Sequence, residues 1–243
     1  MIELCDIHKI YRNNGTEFPV LDHVNLAIQK GDYVAVTGAS GAGKSTLLYV
    51  IGGLIHPDSG EVLFKGRNLY GMPDKERNSY RKREVGFVFQ QFHLMPYLSV
   101  LENVRLACFE KRHFQHIDSY FEKCSLSSLK DKYPSELSVG EKQRTAFVRA
   151  IISEPAILLA DEPTGNLDAD NSKIVMDLIA GFHKNGGTVV VVSHHPDVAK
   201  HAGNSLVLEK GRIVSDQGSV AVDGSMEQGA ETMEKVNGAG CTI

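Results

Sequence analysis

The sequence has no hydrophobic run long enough to cross a membrane. A spanning helix needs roughly 20 nearly continuous apolar residues, and the candidates here, Ile157 to Ala160 and Val189 to Val192, are far shorter. They read as buried strands. The segment Met1 to Lys9 mixes Glu3, Asp6 and Lys9 among apolar residues and offers no continuous signal-peptide core, so the chain is expected to stay in the cytoplasm. Cysteine is scarce as well: Cys5, Cys108, Cys124 and Cys241 show no CxxC spacing, which argues against a zinc site or a disulfide frame and for reduced thiols. Nor is there an excess of one charge. With 26 Lys and Arg against 30 Asp and Glu, the net charge is −4 and the basic residues are dispersed. A phosphate-backbone binder needs a basic stripe, so nucleic acid is not the expected partner. The one local run, Lys75 to Arg83, reads as a solvated helix face.

What is present is a chain of 243 residues, 42% hydrophobic, enough for one large α/β domain or two small ones. Ile2 to Tyr11 and Val20 to Ile28 alternate in polarity around Asn13-Asn14-Gly15, which predicts two antiparallel strands joined by a turn, the start of a small β subdomain. Tyr33 to Thr37 reads as a buried strand running into a glycine-rich turn. Lys44 to Ile51 then reads as a helix stopped by Gly52-Gly53. From about Leu94 to Ala150 the periodicity is helical, and an inserted helical subdomain is expected there. Strand character returns at Ile157 to Ala160 and Thr188 to Ser193, with a helix beginning near Asn171 between them, the rhythm of βαβ units and a parallel sheet. Leu206 to Val214 reads as a closing hairpin turning at Glu209-Lys210-Gly211. One domain over residues 1–215 and a flexible tail over 216–243 complete the expected organisation.

Two stretches carry chemistry on their own. Gly38-Ala39-Ser40-Gly41-Ala42-Gly43-Lys44-Ser45-Thr46 fits GxxxxGK[ST] between a strand and a helix, the phosphate-binding loop in its proper context. Its backbone N–H groups and the helix N-terminus suit an anion. Lys44 is placed for the β- and γ-phosphates, and the Ser45 hydroxyl for Mg²⁺. A ligand-free glycine-rich turn is the bland alternative, and Lys44 with Ser45 weighs against it. Ile157-Leu158-Leu159-Ala160-Asp161-Glu162 is an apolar strand that delivers two acids to the edge of a parallel sheet. Asp161 is expected to act on Mg²⁺, and Glu162 to polarise an attacking water as general base. An acidic pair that merely caps the next helix is the competing reading.

With these motifs in place, Leu137-Ser138-Val139-Gly140-Glu141 looks like LSGGQ, and the chain from about Ile2 to Val214 resembles the ATP-binding cassette family. The resemblance implies a P-loop NTPase core with an antiparallel β subdomain and an inserted helical subdomain, binding ATP and Mg²⁺. It implies further roles: Tyr11 stacking on adenine, Gln90 near Mg²⁺ and the attacking water, Gly165-Asn166-Leu167-Asp168 as a D-loop, and His194 as the switch histidine at the γ-phosphate. His195 stands where the family has an acid and receives no role, and His8, His113 and His116 read as structural or surface residues. In the family the signature loop of one subunit covers the nucleotide of the other. Ser138, Gly140 and Asp168 would therefore meet ATP across a symmetric homodimer with two composite sites. Two departures stand out. Val139 replaces a glycine, adds bulk and resists positive φ, which predicts altered closure or slower hydrolysis, and Glu141 replaces glutamine, a milder change.

Gly52-Gly53-Leu54, Leu101-Glu102-Asn103-Val104 and Leu159 to Asp168 are similar to the branch holding macrolide exporters, lipoprotein-releasing complexes, peptide-resistance systems and the cell-division ATPase. That implies a protein peripheral on the inner face of the membrane, driving integral membrane permease subunits by transport or mechanotransmission. A groove between the Gln90 loop and the helical subdomain, near the apolar Phe92, Leu94, Met95, Pro96 and Tyr97, would accept a permease helix, although these residues would equally seat the subdomain on the core. A division-type regulator without transport and a soluble cassette acting on ribosomes or DNA are the competing classes. A small-molecule kinase would lack the signature, and a GTPase would show NKxD, which is missing.

Overall fold

The computed structural model describes residues 1–194, 198 and 202–217. Two strands open the chain, β1 (Ile2–Asn13) and β2 (Thr16–Ile28). Asn14 and Gly15 both have positive φ, 47° and 78°, the twist a two-residue hairpin needs, so the strands pair right up to the turn and run longer than polarity alone suggests. β3 (Tyr33–Thr37) leads through the glycine-rich loop into α1 (Lys44–Ile51). β4 (Ser59–Phe64), the short β5 (Arg67–Asn68), α2 (Asp74–Arg83) and β6 (Val85–Val88) follow. In α2 only Tyr80 is buried, as a basic, solvated face requires. Then come α3 (Val100–Arg105), α4 (Lys111–Lys123) and α5 (Val139–Ile151). β7 (Ile157–Asp161), α6 (Ala169–Lys184), β8 (Thr188–Val192), β9 (Asn204–Glu209) and β10 (Arg212–Gln217) complete the described order. Helix α6 starts two residues before Asn171 because Asp168 caps it, its carboxylate accepting from the Asn171 N–H at 2.8 Å.

The strands form two sheets. One is antiparallel in the order β2-β1-β4-β5; the other runs β10-β9-β3-β8-β7-β6, parallel except for β10. The central strands are covered on both faces, which is why they read as unbroken apolar runs. Val34, Val36, Ile157, Leu159, Val190 and Val192 pack with α1 and the antiparallel sheet. Their neighbours Ala35, Leu158, Ala160, Val189 and Val191 pack with α5 and α6. The period of two sorts one run into two cores. No helix among the described residues is long and apolar enough to cross a membrane.

The Leu-Glu-Asn-Val stretch has a physical reason. Ser99 and Glu102 form a reciprocal cap at the start of α3. Asn103, fully buried, donates to the carbonyls of Met95, Leu98 and Ser99 and accepts from the Met95 N–H. One side chain thus folds the loop from Met95 to Ser99. Asn103→Ala is expected to lower unfolding free energy by about 3 kcal/mol, since several backbone groups lose a partner at roughly 1 kcal/mol each. Urea denaturation measures it, and a midpoint at the parent value would contradict this role.

Candidate functional site

Four parallel strands end at one edge of the large sheet, and each delivers a different group there. β3 leads into the phosphate-loop candidate and β7 ends on Asp161, followed by Glu162. β6 is followed by Phe89 and Gln90, and β8 by Ser193 and His194. A cavity of about 680 Å³ opens at that edge, lined by Tyr11, Val20, Ser40, Gly41, Gly43, Lys44, Ser45, Thr46, Gln90, Glu162 and His194. The antiparallel sheet forms the far wall through Tyr11, which is 40% exposed. Gly43, the residue before α1, has φ of 104°, and a Cβ there would lie 2.4 Å from the Val20 carbonyl oxygen. Only glycine fits both conditions.

Lys44 is buried and folded back into its own loop, its Nζ donating to the carbonyls of Gly38 and Ala39 at 2.9 Å each. The cation is thus aimed before any ligand arrives. One turn of α1 joins loop and strand edge: Ser45 Oγ donates to Asp161 Oδ1 at 2.8 Å, and Tyr49 Oη donates to Asp161 Oδ2 at 2.7 Å. Burial first, then the neighbouring Asp161 carboxylate, push the Tyr49 hydroxyl up, so it stays a donor.

Glu162 has φ of 46°, a left-handed conformation that costs a non-glycine residue energy and turns its side chain away from that of Asp161. Its Oε2 accepts from Ser193 Oγ at 3.0 Å. Oε1 lies 2.9 Å from both the His194 backbone nitrogen, which donates to it, and His194 Nδ1. The two adjacent acids therefore have separate partners. Asp161 faces α1 and Glu162 faces the end of β8.

Ser138, Gly140 and Asp168 are not on this cavity. They form a second assembly in which Gly140 packs against Asn171, where a Cβ would fall 2.1 Å from Asn171 Oδ1. Asn171 Nδ2 donates to Asp168 Oδ2 at 2.8 Å, and Arg144 Nη1 donates to Asn171 Oδ1 at 3.1 Å. Ser138 caps α5, and Glu141 closes the reciprocal cap: its Oε2 accepts from the Ser138 N–H and hydroxyl at 2.7 and 2.9 Å. Those bonds, the backbone one foremost, lower the Glu141 pKa and keep it ionised. Val139 is a correction to the conformational argument from sequence. It occupies the first helical position of α5, has no positive φ, and is 44% exposed, so only its bulk distinguishes it from glycine.

Three residues were not legible as site residues. Tyr49 lies four positions after Ser45 on α1, so helical periodicity alone would have placed both on one face. Val20 reaches the cavity at a bulge in β2, which has no sequence signal. Gln143, buried in α5, donates to the Pro163 carbonyl at 2.8 Å and ties the α5 helix to the turn after Glu162. His195 lies outside the described residues.

The sequence matches the family described as ABC transporter over residues 21–165, more than half of the chain. It belongs to the ABC transporter family. The cassette is 36% identical over 248 residues to the macrolide export ATP-binding/permease protein MacB of Chlorobium phaeobacteroides, covering 99% of this chain and 37% of that protein. It thus spans about a third of the length of the MacB relatives it matches. It is 38% identical to the lipoprotein-releasing system ATP-binding protein LolD of Syntrophus aciditrophicus, over 88% of this chain and 99% of that one. Among solved structures, the dimeric bacterial ABC transporter cassette MJ0796 superposes with a TM-score of 0.84 at 34% identity, covering 90% of this chain and 98% of that one. A second structure of MJ0796, a post-hydrolysis dimer bound to ADP and Pi, superposes equally well. The cassette is an ABC-type ATPase.

Proposed function

We propose that the cassette closes as an ATP-bound homodimer with two composite sites and drives membrane partner subunits. The observation that carries this is the separation of two assemblies: the cavity with Lys44, Ser45, Gln90, Glu162 and His194 lacks Ser138, Gly140 and Asp168, which stand together elsewhere with Ser138 exposed. A second copy related by two-fold symmetry would bring its signature to the first copy's cavity. The dimeric state of the MJ0796 cassette supports the same arrangement.

In this reading the loop from Gly38 to Thr46 cradles the phosphates, Lys44 meets the β- and γ-phosphates, and Tyr11 offers its ring to the adenine. Ser45, Asp161 and Gln90 supply a hydroxyl, a carboxylate and an amide oxygen. This all-oxygen set fits Mg²⁺, and Ser45 already touches Asp161 at 2.8 Å. Bound there, Mg²⁺ would neutralise charge on the phosphate oxygens. Glu162 takes the proton of the attacking water, while His194, held by the Glu162 carboxylate, faces the γ-phosphate position.

The partners are taken to be integral membrane subunits, with the cassette peripheral on the inner face of the membrane. The MacB and LolD relatives favour export, lipoprotein release or mechanotransmission as the work done. A cavity of about 430 Å³ supports a docking place for a permease helix. Phe87, Phe89, His93, Leu106 and Phe109 line it beside Arg81, Lys82 and Arg149. Arg149 anchors the neighbouring loop by donating to the carbonyls of Phe92 and His93. None of the apolar loop residues expected in the groove, Phe92, Leu94, Met95, Pro96 and Tyr97, lines this cavity, and Tyr97 is 72% exposed.

The test is the mass of the Glu162→Gln protein by light scattering, with and without ATP and Mg²⁺. A shift from monomer to dimer is expected; a monomer under both conditions would overturn the composite site. Glu141 sharpens this test, because an ionised carboxylate beside Ser138 would approach the partner's triphosphate as a like charge. Adding Glu141→Gln removes it and is expected to strengthen the ATP-bound dimer by up to about 1 kcal/mol per site, the scale of exposed charge pairs. A weaker dimer would refute that repulsion.

A further inference from the structure

Away from the nucleotide cavity, the antiparallel sheet carries two bulges in opposite strands. Leu4 pairs with Leu26 and Ile7 with Val24, so Cys5 and Asp6 of β1 oppose the single residue Asn25. Lys9 then pairs with Leu21, so Asp22 and His23 of β2 oppose the single residue His8. Asp6 and His23 both have φ of 52°. Asn25 clamps the pair: its Oδ1 accepts from the Asp6 N–H at 2.8 Å, and its Nδ2 donates to the His23 carbonyl at 3.3 Å. Adjacent residues of a regular strand point to opposite faces, yet Asp22 and His23 both reach His8, because bulges re-aim side chains.

The result is a convergence of ligand atoms. His23 Nδ1 lies 2.6 Å from Asp6 Oδ1 and 3.1 Å from His8 Nε2, and His8 Nε2 lies 3.5 Å from Asp6 Oδ1. The ligand atoms of the three residues all lie within 4.8 Å of one another. Behind them, His8 Nδ1 is 3.3 Å from Asp22 Oδ1, and Asp22 Oδ2 is held by Arg212 through Nε and Nη2 at 2.8 and 2.6 Å. His8 Nδ1 and the Asp22 carboxylate stand at ion-pair distance, so a proton on His8 Nδ1 would face Asp22 and leave the Nε2 lone pair toward His23. That is the carboxylate–histidine arrangement that orients metal-binding imidazoles.

We propose that Asp6, His8 and His23 bind one divalent transition-metal ion of the Zn²⁺ class, with Asp22 as the positioning residue behind His8. For His23 to ligate through Nδ1 its ring proton must be on Nε2, which lies 3.9 Å from Asp22 Oδ1. Two imidazole nitrogens and one carboxylate suit Zn²⁺, Co²⁺, Ni²⁺ or Cu²⁺ and discriminate against Mg²⁺, which prefers oxygen alone. The partly exposed cluster leaves room for water as the remaining ligand. Bound metal would lock these two bulges in the hairpin whose far end presents Tyr11.

The test is a Co²⁺ titration of the whole purified chain, followed by visible absorption. One equivalent is expected, with ligand-field bands and without the intense sulfur-to-cobalt absorption of thiolate ligation. The signal should persist in Asp161→Asn, which disables the oxygen site at the nucleotide cavity. It should vanish in His23→Asn, chosen because asparagine tolerates positive φ. Asp22→Asn should keep one equivalent but weaken it about tenfold. Circular dichroism checks that the variants fold, and His8→Gln replaces His23→Asn should that one fail. No binding by the parent chain, a sulfur-type spectrum, or binding unchanged by both histidine substitutions would overturn the site.

Discussion

Glu162→Gln is expected to lower steady-state ATP turnover by about 10²–10⁴-fold while nucleotide still binds, the span a positioned general base contributes. The amide matches the carboxylate in shape, so its oxygen can still accept from the His194 backbone and ring, and its nitrogen can donate to Ser193 Oγ. The left-handed backbone at Glu162 stays as it is. What is lost is the ability to take a proton from water. Because the phosphate loop, Ser45 and Asp161 are untouched, the loss should fall on kcat, the pattern of an interaction made only in the transition state. Phosphate release under saturating ATP measures it. Turnover at the parent rate would remove Glu162 from the base role.

Lys44→Ala is expected to act one step earlier, weakening ATP binding by about 10–100-fold. The ammonium is buried and held only 2.9 Å from two loop carbonyls, so it meets an incoming phosphate already oriented. A charge-assisted hydrogen bond is worth about 1.5–3 kcal/mol, and among the described residues lining the cavity Lys44 is the only lysine or arginine. Titration with a fluorescent ATP analogue reads the affinity directly. Unchanged affinity would refute the phosphate role. Arginine should not rescue it, because a planar fork cannot fill the pocket of a compact ammonium. The two variants separate binding from chemistry: Glu162→Gln binds without turning over, and Lys44→Ala fails at binding.

Local order was readable where the code is local. β3, α1 and β7 lie where their apolar period and flanking glycines put them, because a strand buried on both faces has to be apolar throughout and a helix has to stop at Gly52. The Glu209-Lys210-Gly211 hairpin was equally visible, with positive φ at Lys210 and Gly211. The β bulges were not. A bulge is one extra residue in a ladder, and only the pairing partner reveals it. His8 therefore read as a structural or surface residue, whereas its ring meets that of His23, fifteen positions on, edge to face at 4.1 Å.

By itself the sequence determined the family and the chemistry on offer, because a phosphate loop, an acid pair and a signature loop are contiguous and each keeps its meaning in isolation. It also named most residues of the cavity, since parallel strands end at one edge and the residues just past each strand collect there. Tertiary structure decided how those groups are divided. Only packing shows that Asp161 belongs to Ser45 and Tyr49 while Glu162 belongs to Ser193 and His194. Only packing shows Val139 in a helical first turn with Glu141 bonded to Ser138. Side-chain partners, bulge register and backbone φ depend on residues far apart in the chain, and those distances close only when the sheets assemble.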